Sequence, residues 1–491
     1  MRLRSVDYSG PLAQLVEQGT LNPKVAGSIP ARPIHEGAGS SAFSLEGRRD
    51  SCEGGNRRGN MPLIETPYVL GDANEPIALY RGAGTLRRSD GDAVEGPTTL
   101  DFRWLPRPRL AFELQEAPSH ATSDEPLAYT LSLDEIDDSA PVSVQVLRVR
   151  RGTYTETTGI ADAIHGQPLT VDRMVFLIPN WPSVLGEWID APDGSGGWRG
   201  RVTLEGSGWR VVLESRRDIG TLIENLRASG GWAATHLGSL ERGDGASFRA
   251  ADGRSFLDCV GLFLAFARGL WTPPTLTVGF EKGRLVWREW AAPTTSAWRG
   301  NFSWFWEQRP EMLSGVFPGF VDRWEDPKWR ESLLLAVSWL VEANPSDPAE
   351  RSIVVAQVAL ELMGWLTLVR DTGVMTPKDW KQGRDRALRH LRRLIGHLGI
   401  SPAIPSDFTN LANLARIEGW ADGAEALVGF RNRLVHPRDR ASSILSTAVM
   451  ARVELAELSS WYCELSLLHF CGYQGEYLNR STLDIEQVPW V

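Results

Sequence analysis

Polar and apolar positions alternate along the first part of this chain and shift to a helical period near residue 330. In Val142-Ser-Val-Gln-Val146 every second residue is apolar, the signature of a half-buried strand. Arg201–Glu205 and Trp209–Leu213 flank Gly206-Ser207-Gly208, which predicts a hairpin with a glycine-rich turn. Thr275–Phe280 and Arg284–Trp290 predict a second hairpin around Glu281-Lys282-Gly283. Met174–Ile178 is a continuous apolar run stopped by Pro179, as in a strand buried on both faces. Ile219–Ala228 and Ser255–Arg268 have helical patterning. Residues 61–295 therefore predict a β-rich domain, a sandwich or a partly open barrel.

Residues 296–330 form a connector dense in aromatics, from Trp298 to Trp329, which reads as an interdomain seam because large rings usually bury. Pro310, Pro318 and Pro327 are expected to break any long helix there. Beyond it, Glu331–Ala343 is apolar on one face. Asp347-Pro348 supplies an N-cap and a first-turn proline for a long helix reaching Val369. Lys378–Leu398 reads as a single amphipathic helix with Leu388, Leu391, Ile395 and Leu398 on one side. Phe408–Ile417, Ala421–Val435 and Ala441–Phe470 complete a bundle of five or six helices. The predicted class is α+β and multidomain: a β-rich N-terminal domain followed by an all-α bundle over residues 331–491.

Residues 1–60 lack this patterning. Ala26–Arg32 can be back-translated to contain GGTTCGATTCC, a tRNA T-arm, and Leu15–Gln18 to resemble a D-arm. The segment reads as a translated tRNA gene ahead of a start at Met61, in preference to a disordered leader. Composition alters the picture little. The chain has 491 residues, 42% of them hydrophobic, and a formal net charge of −9, so RNA contact would need a local basic patch. Cys52, Cys259, Cys463 and Cys471 have neither zinc nor disulfide spacing and read as buried thiols in a reducing cytosol. The longest apolar run, Phe256–Ala267, falls short of the roughly 18 residues of a membrane span and holds Asp258. A cytoplasmic protein without membrane contact is expected.

The local basic patch exists. Lys378, Lys381, Arg384, Arg386, Arg389, Arg392 and Arg393 stand against Asp379 and Asp385, a local net of +5 that suits an RNA backbone or, equally, a solvated helix face. His390 and His397 share a helical face but have no further ligands, so neither a metal nor another cofactor is assigned.

The chemistry is carried by Phe430-Arg431-Asn432-Arg433-Leu434-Val435-His436-Pro437. Within one helix, Arg431 and His436 would lie about 140° apart. Pro437 disfavours helix at His436, so the chain should end there and let the imidazole turn back toward the guanidinium. His can accept and return protons near neutrality. Arg stays charged and matches phosphate oxygens, and Asn432 can donate to phosphate or orient the His. That set suits RNA cleavage by the adjacent 2′-hydroxyl without a metal, giving a 2′,3′-cyclic phosphate and a 5′-hydroxyl. R-x-x-x-x-H is also common by chance, and a His near a helix end often serves only the helix dipole.

Arg-Asn-x-x-x-His at a helix end inside a bundle resembles the motif of the HEPN superfamily (higher eukaryotes and prokaryotes nucleotide-binding), and more specifically its ApeA-like branch. Ala359-Leu360-Glu361, Trp461-Tyr462-x-Glu464-Leu465 and Gly472-Tyr473-x-Gly475-x-Tyr477-x-Asn479-Arg480 fit that branch. The resemblance covers residues 330–480 well and residues 61–295 only in architecture. It implies a homodimer through the helical domain, with two motifs facing each other in one composite ribonuclease site. It also implies a role in antiphage defence and abortive infection, cutting host RNA, tRNA included, on a phage-derived trigger. Arg431, Asn432 and His436 would be catalytic. Arg433 and the basic stretch would bind RNA, and Glu361 would pair with the motif arginine. The β-rich domain would sense the trigger or restrain the nuclease. The competing expectation is a non-catalytic HEPN fold that dimerises or binds a nucleotide or protein partner.

Overall fold

The computed structural model describes residues 63–89, 91–117, 129–134, 142–151, 155–167, 169–344, 348–436 and 448–491. The leader reading at residues 1–60, Cys52 and the predicted cap at Asp347 fall outside them. The first body is a closed antiparallel barrel of β1 (Ile77–Arg88), β2 (Ala93–Arg103), β3 (Arg109–Leu114), β4 (Tyr129–Leu133), β5 (Val142–Arg150) and β6 (Glu156–Ala161). Its strand order is β1-β2-β3-β6-β5-β4, closed by β4 on β1. Leu86, Leu100, Phe102, Phe112 and Leu131 fill the interior. Val142 and Val144 point inward while Ser143 and Gln145 face out, as the alternation predicts. Closure leaves no free sheet edge.

The second body is an open eight-stranded sheet. It contains β7 (Ile164–His165), β9 (Arg173–Pro179), β10 (Glu187–Asp190), β11 (Gly197–Gly206), β12 (Trp209–Ser215), β13 (Ala234–Arg242), β15 (Thr275–Glu281) and β16 (Arg284–Trp290). Two short strands, β8 (Thr170–Val171) and β14 (Phe248–Arg249), pair with each other separately. In the order β10-β11-β12-β13-β9-β15-β16-β7, β9 lies between β13 and β15. Met174, Phe176 and Ile178 enter the core shared with the helices, and Leu177 points into the barrel-side core. Both faces are covered, which is why β9 reads as an unbroken apolar run.

Both predicted hairpins form, each around two residues with positive φ: Ser207 (46°) with Gly208 (74°), and Lys282 (50°) with Gly283 (79°). That geometry matches strand twist. Gly206 pairs with Trp209 in the ladder, so the first turn is one residue shorter than predicted. The larger departure is that the β-rich region holds two β bodies, not one. Alternation reports which face of a strand is buried; strand pairing is non-local.

Helix α1 (Ile219–Ser229) and the almost fully buried α2 (Ala250–Arg268) belong to the sheet body. The aromatic connector packs where sheet and bundle meet. Trp304, Phe317, Phe320, Trp324 and Trp329 are buried, and Phe317 meets Phe263 of α2 edge-on at 4.9 Å. Phe302 is the exception, 51% exposed. Pro318 does not stop the helix as expected: α3 (Glu311–Glu325) runs through it. An interior proline costs about 3 kcal/mol. Burying Val316, Phe317, Phe320, Val321 and Trp324 along one helix outweighs that.

The bundle comprises α4 (Arg330–Ala343), α5 (Ala349–Trp365), α6 (Pro377–Lys381), α7 (Arg386–His397), α8 (Thr409–Glu418), α9 (Gly423–Val435) and α10 (Val449–Phe470). The first part of the predicted last helix, residues 441–447, lies outside the described residues. A π-helical turn, Leu366–Asp371, extends α5. Together they are long and apolar enough to cross a membrane by length and composition, contrary to the sequence reading, yet 61% of the apolar window is buried inside the protein. α10 is buried on all sides from Leu458 to Leu468. The predicted helix Lys378–Leu398 is broken into α6 and α7, because Gly383 (φ 89°) and Asp385 (φ 50°) take left-handed backbone. Cys259, Cys463 and Cys471 are buried free thiols, and burial pushes Cys471 up to about 12.

Candidate functional site

Helix α9 carries the Arg-Asn-x-x-x-His motif. Its start is fixed by Asp422, whose carboxylate accepts from Glu425 N at 2.8 Å. Arg392 of α7 then bridges Asp422 (2.8 Å) and Glu425 (2.9 Å). Ala424, Leu427, Val428 and Phe430 bury one face. The helix ends where the motif does: His436 leaves it with φ −122° and ψ 73°, its N–H still donating to Asn432 O at 3.0 Å. This is the break expected ahead of Pro437, which itself lies outside the described residues.

Arg431 is half-buried, and Asn432 and His436 are exposed. Arg431 Nη1 donates to Asn432 Oδ1 at 3.2 Å, and Nε is buried without a partner. Among the described residues no carboxylate pairs with Arg431 and no hydrogen bond reaches the His436 imidazole. The expected turn of that ring onto the guanidinium is therefore not made as a hydrogen bond within this chain.

Arg433, two residues from Arg431, is held differently. It forms an ion pair with Glu418 (Nη1–Oε1 2.6 Å) and lies 5.2 Å over the Trp420 ring. The hydrogen bond to Arg433 draws the Glu418 carboxyl below its ordinary range and holds the guanidinium above its own. Arg433 is thus an internal tie, not the free RNA contact expected. The same correction applies within the basic stretch. Arg392 is committed to α9, and Arg389 donates to Asp379 O (3.0 Å) and Trp380 O (3.4 Å). Lys378, Lys381, Arg384, Arg386 and Arg393 remain exposed without an ion pair among the described residues.

Glu361 does not pair with Arg431. It is exposed, and its charge acts on His390. His390 is buried, stacked 3.5 Å from the Trp380 ring, and lowered chiefly by desolvation, whereas His397 is exposed. Among the described residues no group of three or more His, Cys, Asp or Glu could hold a metal.

Sequence reasoning names Arg480 and Glu464 only as parts of a resemblance and misses that they pair in a dense buried network. Arg480 donates to Glu464 (2.7 and 2.8 Å), Glu457 (2.8 Å), Asn344 Oδ1 (2.7 Å) and Phe302 O (2.7 Å). Glu464 also accepts from Trp304 N at 3.2 Å. The C-terminal hairpin of β17 (Glu476–Leu478) and β18 (Ile485–Gln487) is thereby bolted to α4, α10 and the connector. The one available sequence signal is Glu464, a carboxylate set between the apolar Cys463 and Leu465. Gly269 completes the joint: with φ 67° it accepts from Asn344 Nδ2 at 2.9 Å, and any Cβ there would fall 2.0 Å from that nitrogen.

The chain has the architecture of an α+β multidomain protein: barrel, open sheet and helical bundle. Residues 166–301 match the family model of the YopA central domain, and residues 326–489 that of the YopA C-terminal domain. These segments take in most of the open sheet and nearly all of the bundle. The chain is similar to the SPbeta prophage-derived uncharacterized protein YopA of Bacillus subtilis (strain 168), 27% identical over 451 residues that cover 87% of this chain and 98% of the relative. No solved structure matches it.

Proposed function

We propose that the helical region is a HEPN-type, metal-independent endoribonuclease in a cytoplasmic protein, with Arg431, Asn432 and His436 as its working residues. One observation carries the reading. Arg433 and Arg392 are each neutralised by a carboxylate, while Arg431 and His436 project from the exposed end of α9 with no charged partner among the described residues. A guanidinium without a counterion and an imidazole without a hydrogen-bond partner, both near the end of α9, would together accept a phosphodiester. His436 takes the 2′-hydroxyl proton as that oxygen attacks phosphorus. Arg431 stabilises the charge gathering on the equatorial oxygens, and Asn432 donates to a phosphate oxygen. The 5′-oxygen leaves with a proton from imidazolium, supplied by the second motif when two copies face each other.

Lys378, Lys381, Arg384, Arg386 and Arg393 would follow the RNA backbone. The barrel and sheet would sense a phage-derived trigger or restrain the nuclease. The prophage origin of the relative supports a setting in phage conflict and abortive infection. The test is cleavage of total tRNA by the full chain with EDTA present, beside His436→Ala. Fragments ending in cyclic phosphate, lost in the variant, are expected; equal cleavage by both proteins would sink the assignment.

One observation favours a competing reading. Ile417, next to Glu418 of the Arg433 pair, is 71% exposed and offers a second copy an apolar contact. Dimerisation without RNA turnover would use the same end of the bundle. It predicts a dimer that Ile417→Asp dissociates and no RNA cleavage with phage lysate added.

A further inference from the structure

Three arginines are buried among the described residues: Arg201, Arg268 and Arg480. Arg201 is paired with Glu214 and Arg480 with Glu464 and Glu457. Arg268, the last residue of α2, is 7% exposed and has no carboxylate within ion-pair distance among the described residues. Its Nη2 donates to Arg299 O at 3.0 Å, Trp298 lies 5.2 Å from its guanidinium carbon, and its Nε is buried without a partner. Burial pulls it down to about 10, the direction expected of a cation deprived of water and counterion.

Arg268 lines a cavity of about 300 Å³. Pro182 and Arg268 belong to the sheet body, Asn301, Phe302 and Trp306 to the connector, and Leu478 and Leu483 to the C-terminal hairpin. The walls are thus largely flat or apolar, with Leu483, 56% exposed, at the opening. Glu307 also lines the cavity and attracts Arg268 from beyond ion-pair distance. A bare inorganic anion would pair with Arg268 but meet that carboxylate with no apolar contact to offset it. An organic anion gains the ring and leucine surface as well.

We propose that this cavity binds a small organic anion, its carboxylate or phosphate paired with Arg268 and its flat apolar body lying against Phe302, Trp306 and Leu478. A guanidinium suits either group, through a charge-assisted hydrogen bond from the edge that Arg299 O leaves free. The ligand would touch sheet, connector and hairpin together and stabilise their junction by mass action. The site stands independently of the ribonuclease reading.

The experiment uses saturation-transfer NMR on the full chain with four probes: phenyl phosphate, benzoate, inorganic phosphate and benzyl alcohol. Phenyl phosphate or benzoate should bind, and which of them binds tighter assigns the anionic group. Inorganic phosphate and benzyl alcohol should each bind at least about tenfold more weakly. Arg268→Gln should weaken the organic anion at least about tenfold, the loss expected for one charge-assisted hydrogen bond. Glu307→Gln should tighten it severalfold. Leu483→Glu, which alters only an exposed position, should weaken it severalfold by like charge at the opening. That variant decides the matter if Arg268→Gln does not fold. Failure of both organic anions to bind, inorganic phosphate binding equally well, or affinity unchanged in Arg268→Gln or Leu483→Glu would each overturn the proposal.

Discussion

Arg480 and Arg431 are both arginines of the helical region, and the fold treats them in opposite ways. Arg480 is enclosed and directs its guanidinium at two carboxylates, an amide and a carbonyl. Arg431 sits near the end of α9 with an asparagine oxygen and no counterion among the described residues. A buried charge must be saturated or its desolvation goes uncompensated. A charge at the surface can wait for a partner from outside. Saturation therefore marks the structural arginine, and incompleteness leaves Arg431 open to the role proposed for it.

The sharpest way to break that comparison is to open the saturated side. Arg480→Ala leaves Glu464 buried and unpaired, and unfolding in urea should show a loss of about 3–5 kcal/mol. A loss below about 1 kcal/mol would mean the network is ornamental. His436→Ala should do the reverse. RNA cleavage should fall at least about a hundredfold, with stability unchanged to within about 0.5 kcal/mol. A variant that lost stability and activity together would point to a structural role.

A third test uses pH on a buried imidazole. His236 is enclosed in β13 with Nδ1 3.1 Å from Thr235 Oγ1, and burial pushes its pKa down to about 3. In the unfolded chain a histidine titrates near about 6.5. The unfolded state thus binds a proton that the folded state refuses. Its contribution is fully present above that value and is lost as pH falls toward 3, by up to about 1.4 kcal/mol per unit. His236→Asn should flatten this limb in denaturation midpoints taken from pH 7 to 4. An unchanged slope would show that His236 is protonated in the fold. The smallest effect is expected at Arg433→Ala. A half-buried surface ion pair with Glu418 is worth roughly 1 kcal/mol or less, and cleavage should change less than threefold. A large loss of activity would return Arg433 to the RNA contacts.

Local pattern carried well where local forces decide. The Ser207-Gly208 and Lys282-Gly283 turns, the inward valines of β5 and the end of α9 before Pro437 were all legible, because turn backbone, strand faces and proline sterics are set within a few residues. Three expectations fail. Pro318 reads as a breaker, but its helix is fastened by buried rings on either side. Lys378–Leu398 reads as one helix, but Gly383 and Asp385 turn left-handed between α6 and α7. Glu361 is expected against Arg431, but it acts on His390.

By itself, the sequence determined the division into β-rich and helical regions, the two hairpins and the residue types gathered at the end of α9. Periodicity, turn chemistry and capping are properties of neighbours. Long-range packing settles that the β-rich region is a barrel plus an open sheet, which arginines are neutralised, and that Arg268 lines a cavity without an ion pair among the described residues. Those outcomes depend on pairs such as Arg480 and Asn344, 136 residues apart. Whether a charge finds a partner at that separation is fixed by packing.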